Sequence, residues 1–251
     1  MPPERRKPQL IPVLDVMNGH AVRAVGGLRE NYQPVPRPFT GSHKANDVAN
    51  ALLHRTGANE LYVADLDAIM GNAGVSRAVR TVIEMSAVPT WLDAGIGRRL
   101  TVADLPALPH VRPVVGSETC GTPEVLQDAL SQAGERPVAF SIDLKGGRVL
   151  GNWRNWGLEG ERDVLRLARR VVEIGVRTLI VLDLARVGTG TGPGTEPLLR
   201  AIRAEFPGVE LIAGGGVKTR ADVDRLGEAG ADAVLVASAL HDGTITFPRA
   251  S

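Results

Sequence analysis

A single cysteine, Cys120, in 251 residues excludes an internal disulfide and any thiolate metal cluster, and it fits a reducing compartment. An excess of charge is missing too. The 29 Lys and Arg against 28 Asp and Glu leave a net charge of +1, too weak a field to hold nucleic acid or a membrane surface. No run approaches the roughly 20 apolar residues of a membrane helix. Met1 to Gln9 is polar, proline-rich and basic, without the apolar centre of a signal peptide. We therefore expect a cytoplasmic protein without nucleic-acid or membrane partners, with residues 1–9 as an N-terminal extension to one domain over 10–251. The five histidines have no metal-ligand spacing, so no metal site is expected.

What the chain does have is alternation. Apolar runs at Leu10–Asp15, Glu60–Asp65, Thr90–Asp93, Pro113–Gly116, Val138–Asp143, Thr178–Asp183, Glu210–Ala213 and Ala233–Ala237 read as strands. Amphipathic segments lie between most of them, at Asp47–Arg55, Gly74–Met85, Pro123–Ala133, Glu161–Ile174, Glu196–Glu205 and Arg220–Ala229. Eight strands alternating with helices predict a (β/α)8 barrel, for which this length is usual. An open doubly wound sheet would need a glycine-rich dinucleotide turn after the first strand, and Asp15-Val16-Met17-Asn18-Gly19 is not one.

The two halves repeat each other. Asp15 closes an apolar run and is followed by Gly19; Asp143, 128 residues later, does the same before Gly147. Asp65 answers Asp183, Gly95 answers Gly214, and Gly116-Ser117 answers Ala237-Ser238, at offsets of 118, 119 and 121. That order predicts a duplicated half-barrel. Side chains at the C-terminal ends of barrel strands face the active-site mouth, so Asp15 on the first strand and Asp143 on the fifth would face each other as general base and general acid. An aspartate at a strand end can instead serve only to cap its turn. Glycine turns bring backbone N–H groups to phosphate. Gly214-Gly215-Gly216 with Ala237-Ser238, and Gly95 with Gly116-Ser117, would make two such cradles, one for each end of an elongated substrate. Arg23 and Lys145 are further candidates for phosphate or carboxylate contacts, and Gly188 and Thr189 for contacts to the substrate or its phosphate.

These residues resemble a family. Ile11-Pro12-Val13-Leu14-Asp15, Tyr62-Val63-Ala64-Asp65-Leu66-Asp67, Phe140-Ser141-Ile142-Asp143 with Gly146-Gly147-Arg148-Val149, and Ala213-Gly214-Gly215-Gly216-Val217 are similar to HisA, the phosphoribosylformimino-aminoimidazole carboxamide ribotide isomerases of histidine synthesis. The cyclase HisF is a more distant likeness. The resemblance implies an aldose–ketose isomerase without metal or organic cofactor, acting on a phosphorylated small molecule by an Amadori rearrangement. Asp15 would remove the proton from C2 of the sugar and Asp143 would protonate the ring oxygen.

The sequence departs from that family at Val187 before Gly188-Thr189, at Leu182, at Tyr62 where a histidine is usual, at Ala237-Ser238, and along Gly190-Thr191-Gly192-Pro193-Gly194. These changes resemble a divergent HisA-like group. They imply as alternatives another pathway, such as methanopterin-linked one-carbon cofactor synthesis, or a non-catalytic phosphate-ligand binder. Lys145 could serve as an amine nucleophile if desolvated. Trp153 and Trp156 could stack on a flat ring at the mouth or pack against the rim. Residues 29–43, with Pro34, Pro36 and Pro38, read as a long loop able to act as a lid.

Overall fold

The computed structural model describes residues 7–36, 41–71 and 74–245. Eight parallel strands close on themselves: β1 (Gln9–Met17), β2 (Leu61–Asp65), β3 (Thr90–Asp93), β4 (Val111–Gly116), β5 (Ala139–Lys145), β6 (Thr178–Asp183), β7 (Glu210–Gly214) and β8 (Ala233–Val236). β8 pairs with β1 in register Leu10 to Val234, which seals the barrel. This is the expected (β/α)8 architecture. Helices Ala45–Thr56, Arg77–Met85, Pro123–Ala133, Val164–Ile174, Glu196–Glu205 and Arg220–Glu228 sit where the amphipathic segments predicted them. After β3 there is only the single turn Val102–Asp104, and after β8 the short helix Ser238–His241.

Two separate cores explain why these strands read as continuous apolar runs rather than alternating ones. One face of each strand packs on the helices: Val164, Leu167, Ala168 and Val171 of one helix are buried there at helical spacing. The other face fills the barrel with Ile11, Tyr62, Trp91, Val114, Ala139, Ile180, Ile212 and Leu235. At the N-terminal end Trp91 is fully buried, its indole N–H donates to Glu60 at 3.0 Å, and Arg112 lies over its ring while pairing with Glu60 at 2.7 Å. That end is plugged. Truncating a buried Trp of this kind costs about 3–5 kcal/mol.

The other end differs from the sequence expectation in one respect. β1 does not stop at Asp15, nor β5 at Asp143. Each runs two residues further and turns back as an antiparallel hairpin, with His20–Arg23 pairing on β1 and Arg148–Val149 on β5. Once a strand rises past its barrel neighbours, its free N–H and C=O groups need partners, and the returning strand supplies them. Gln33–Pro34 adds to the first hairpin, so part of the expected lid is sheet; Pro38 lies outside the described residues. β1 begins at Gln9, one residue before the expected domain boundary, and residues 246–251 are likewise outside the described set. Among the described residues no helix is long and apolar enough to cross a membrane.

Candidate active site

The open, C-terminal end of the barrel holds a cavity of about 460 Å³. Asp15 and Asp143 both line it. The strand register brings in a third acid: Asp15 on β1, Ala64 on β2 and Asp93 on β3 occupy one row, and paired residues of parallel strands point to the same side. Ala64 leaves the space between the two carboxylates open. Asp93 also lines the cavity, and the Tyr62 hydroxyl donates to its Oδ2 at 3.3 Å while the Gly95 N–H donates to Oδ1 at 3.1 Å.

Burial shapes the chemistry of all three. Loss of hydration, with Asp93 adding like-charge repulsion, raises Asp15 to about 7. The same two causes raise Asp143 to about 7. Asp93 is pushed up to about 6, mostly by desolvation and against the pull of the Gly95 N–H. Two carboxylates poised at neutral pH on opposite strands of a closed barrel can exchange protons with a molecule held between them.

Their surroundings differ. Asp143 is 6% exposed, accepts from the Ser141 hydroxyl at 2.6 Å and from the Glu118 N–H at 3.4 Å, and its own N–H donates to Ser117 Oγ at 2.9 Å. Asp15 lines the cavity with no side-chain hydrogen bond among the described residues, and Tyr32 and Tyr62 line the same cavity.

The predicted phosphate residues divide. Arg23, Lys145, Gly188, Thr189, Gly215, Gly216, Ala237 and Ser238 line the cavity, whereas Gly95, Gly116, Ser117 and Gly214 do not. Each of the four is small for another reason. A Cβ on Gly95 (φ +73°) would come within 2.8 Å of the Ile69 Cα, and one on Gly116 within 2.8 Å of Asp143 Oδ2. Gly214 sits between Leu182 and Leu235 inside the barrel, and Ser117 is engaged with the Asp143 backbone. Gly215 and Gly216 are packed as closely, a Cβ there coming within 2.6 Å of the Asp183 carbonyl and 2.5 Å of the Gly192 carbonyl, but they line the cavity.

Other expectations also find their places. Arg23 holds a carboxylate, but an internal one, pairing with both oxygens of Asp242 at 2.7 and 2.8 Å. Lys145 is exposed at the cavity edge; that setting lacks the desolvation an amine nucleophile needs. Trp156 is buried edge-on against Phe140, and Trp153 packs on the outer core, so both serve the rim rather than the mouth. Leu182 and Val187 line the cavity. Asp65 and Asp183 turn away and cap turns, Asp183 accepting from Gly146, Gly147 and Ala185 N–H groups at 3.0 to 3.2 Å. Among the described residues no set of three His, Cys, Asp or Glu is arranged to hold a metal ion.

Residues that sequence reasoning missed are Asp93, Glu118, Arg29, Tyr32, Lys218 and Asp242, all on the cavity wall. Asp93 carried a signal, since it ends an apolar run as Asp15 and Asp143 do. The other five come from loops whose fold no periodicity announces. The loop after β1 lies across the mouth, pinned by Arg29 to Glu118 at 2.8 Å, by the Gly26 N–H to the Val187 carbonyl at 2.7 Å, and by Arg23 to Asp242.

Residues 9–246 match the family described as histidine biosynthesis protein. The chain is 30% identical over 241 residues to a 1-(5-phosphoribosyl)-5-((5-phosphoribosylamino)methylideneamino)imidazole-4-carboxamide isomerase of Deinococcus radiodurans, covering 96% of this chain and 97% of that protein. It is 31% identical over 242 residues to the isomerase of the same name from Thermus thermophilus, covering 96% and 98%. With that of Listeria welshimeri it shares 30% identity over 244 residues, covering 95% of each.

Proposed function

The chain belongs to the histidine biosynthesis protein family, and from that premise we propose that it is an aldose–ketose isomerase converting a phosphorylated aminoaldose into an aminoketose. The observation that carries this reading is the pairing of Asp15 and Asp143 across one cavity, both raised to about 7 by burial and by Asp93. In the proposed reaction protonated Asp143 gives its proton to the ring oxygen, and the ring C–O bond breaks to leave an open-chain iminium. Ionised Asp15 then takes the proton from C2, and the electron pair of that C–H bond neutralises the iminium as an enolamine. Tautomerisation gives the aminoketose, so the isomerisation consumes no co-reactant.

The geometry supports these roles in three ways. The Ser141 hydroxyl occupies Asp143 Oδ1 at 2.6 Å, whereas Oδ2 receives only the long 3.4 Å contact from the Glu118 N–H and is the freer oxygen to carry a transferable proton. Asp15 accepts no side-chain hydrogen bond among the described residues, which keeps an ionised carboxylate strongly basic. Gly215, Gly216, Ser238 and Lys218 gather at the β7–β8 rim, where a phosphate would be anchored. The duplication expected from the repeated words remains a reading of the sequence, supported by the matching hairpins after β1 and β5.

The test is turnover of the imidazole-carboxamide ribotide named for the relatives. Asp15→Asn and Asp143→Asn should each lower kcat by about 10²–10⁴ with an unchanged circular dichroism spectrum; a near-normal rate in either variant overturns its role. A second reading, the same chemistry on a different aminosugar phosphate, is favoured by the apolar Leu182 and Val187 on the wall. Complementation of a strain lacking the histidine-pathway isomerase separates the two: rescue assigns the relatives' substrate, and failure alongside in vitro isomerisation of another aminoaldose phosphate assigns the second.

A further inference from the structure

The acid–base roles leave one acid of the site without a task. Asp93 lines the cavity with Asp15 and Asp143. Its strand, β3, stands two strands from β1, so about 10 Å of backbone spacing separates Asp93 from Asp15 in their common row. Both Asp93 oxygens hold a neutral donor, the Tyr62 hydroxyl at 3.3 Å on Oδ2 and the Gly95 N–H at 3.1 Å on Oδ1. Tyr62 is 4% exposed and reaches Asp93 from the row below, which it shares with Val13 and Trp91. The other two acids on the wall are neutralised within the protein, Glu118 by Arg29 at 2.8 Å and Asp242 by Arg23 at 2.7 Å. Asp93 has no ion-pair partner among the described residues.

A carboxylate held by two neutral donors is fixed in place but lacks a counter-charge, and a charge taken out of water is costly until something compensates it. The two donors favour the ionised form, and Asp93 gives up its proton at about 6, ahead of Asp15 and Asp143 at about 7. Near neutral pH the negative charge of the trio therefore rests first on Asp93. The proposed reaction supplies a counter-charge as the ring C–O bond breaks, when positive charge spreads over C1 and its nitrogen. From this arrangement we infer that Asp93 is a third catalytic residue, its carboxylate facing the iminium and stabilising it, with Tyr62 as the residue that positions it. A charge that meets its partner only as the ring opens lowers the barrier instead of tightening substrate binding. The inference rests on the isomerase reading of the same site and deepens it.

Turnover of the imidazole-carboxamide ribotide across the pH range separates this role from the setting of neighbouring protons. Asp93→Asn keeps an acceptor for the Gly95 N–H, and its thermal midpoint verifies folding. If Asp93 governed protons alone, the rate at the variant's own optimum would return to the native level. With the cation uncompensated, kcat at that optimum should stay down by about 10²-fold or more, with KM changed less than about threefold. Tyr62→Phe keeps the ring and the charge and should lose about tenfold. Calorimetric titration at pH 8, where all three acids are largely ionised, gives a readout without turnover. The native chain should bind 1-amino-1-deoxyribitol 5-phosphate, an ammonium, at least about tenfold more tightly than ribitol 5-phosphate, and Asp93→Asn should cut that preference to about threefold. Recovery of the native rate at the variant's optimum, a Tyr62→Phe loss as large as that of Asp93→Asn, or an undiminished ammonium preference overturns the inference. Those outcomes leave the isomerase reading standing, whereas a native chain that turns over no aminoaldose phosphate removes both.

Discussion

The hairpins after β1 and β5 are built from the same short pattern, yet they hold their aspartates in different ways. In the second, Asp143 is gripped: Ser141 donates to its carboxylate, Ser117 receives its N–H, and the Gly146-Gly147 turn above it is clamped by Asp183. In the first, Asp15 carries no such bond among the described residues, and the Asn18-Gly19 turn is held by one contact, from the Asn18 N–H to Asp67 at 2.8 Å. A carboxylate fixed in direction suits delivery of a proton to one ring oxygen. An unencumbered one suits removal of a proton from carbon, because every donor it lacks leaves it more basic. Similar backbones have thus been dressed for opposite halves of one proton transfer.

The largest effects should come from removing the two carboxylates, at about 10²–10⁴ in kcat each, and the pH profile sharpens the contrast. A base at Asp15 must be ionised, so the rate climbs as pH rises toward its value of about 7. An acid at Asp143 must be protonated, so the rate falls above about 7. A narrow bell centred near neutrality follows, its two limbs belonging to the interacting pair. Asp93→Asn removes a repulsion that raises both groups, so both limbs and the optimum should move to lower pH in kcat/KM profiles. An unmoved optimum would show that Asp93 does not set the protons. Ser141→Ala probes the grip itself: kcat should drop about tenfold with KM little changed, as expected for one hydrogen bond of roughly 1–1.5 kcal/mol. An equal loss from the same change in KM would mean that Ser141 serves binding instead.

The barrel was legible because its signals are local. Eight apolar runs buried on both faces, and helices such as Val164–Ile174 with one buried stripe, are set by burial that periodicity records. The two facing acids were legible for the same reason, since each ends such a run. Which of the expected phosphate residues line the cavity was not legible, because a glycine in sequence does not say what fills the space beside it: at Gly116 it is the Asp143 carboxylate and at Gly95 the Ile69 backbone. The strap formed by Arg23, Gly26 and Arg29 depends on partners 89 to 219 residues away, contacts that no spacing rule encodes.

Smaller effects on stability test the two clamps. Asp183→Ala leaves three N–H groups without their acceptor and should destabilise by about 1–2 kcal/mol in urea unfolding, whereas Asp67→Ala, losing one exposed contact, should cost about 0.5 kcal/mol. Equal costs would erase the difference between the hairpins.

The last test concerns the bare carboxylate. Asp15 holds its proton to about pH 7 in the folded chain, while in the unfolded chain it releases it near the ordinary carboxylate value of 3.8. Between those values the folded state binds more protons than the unfolded one, so stability falls as pH climbs from about 4 to about 7 and is level beyond. Asn carries no such charge. Asp15→Asn should therefore be neutral near pH 4 and more stable than the native chain at pH 8, by about 1–2 kcal/mol once cavity water is allowed for. Asp143→Asn loses its Ser141 contact as an ionised acceptor and should gain less. Thermal melts of both variants at the two pH values decide it: an Asp15→Asn gain that is absent at pH 8, or as large at pH 4, would mean that burial of its charge is not what the fold is working against.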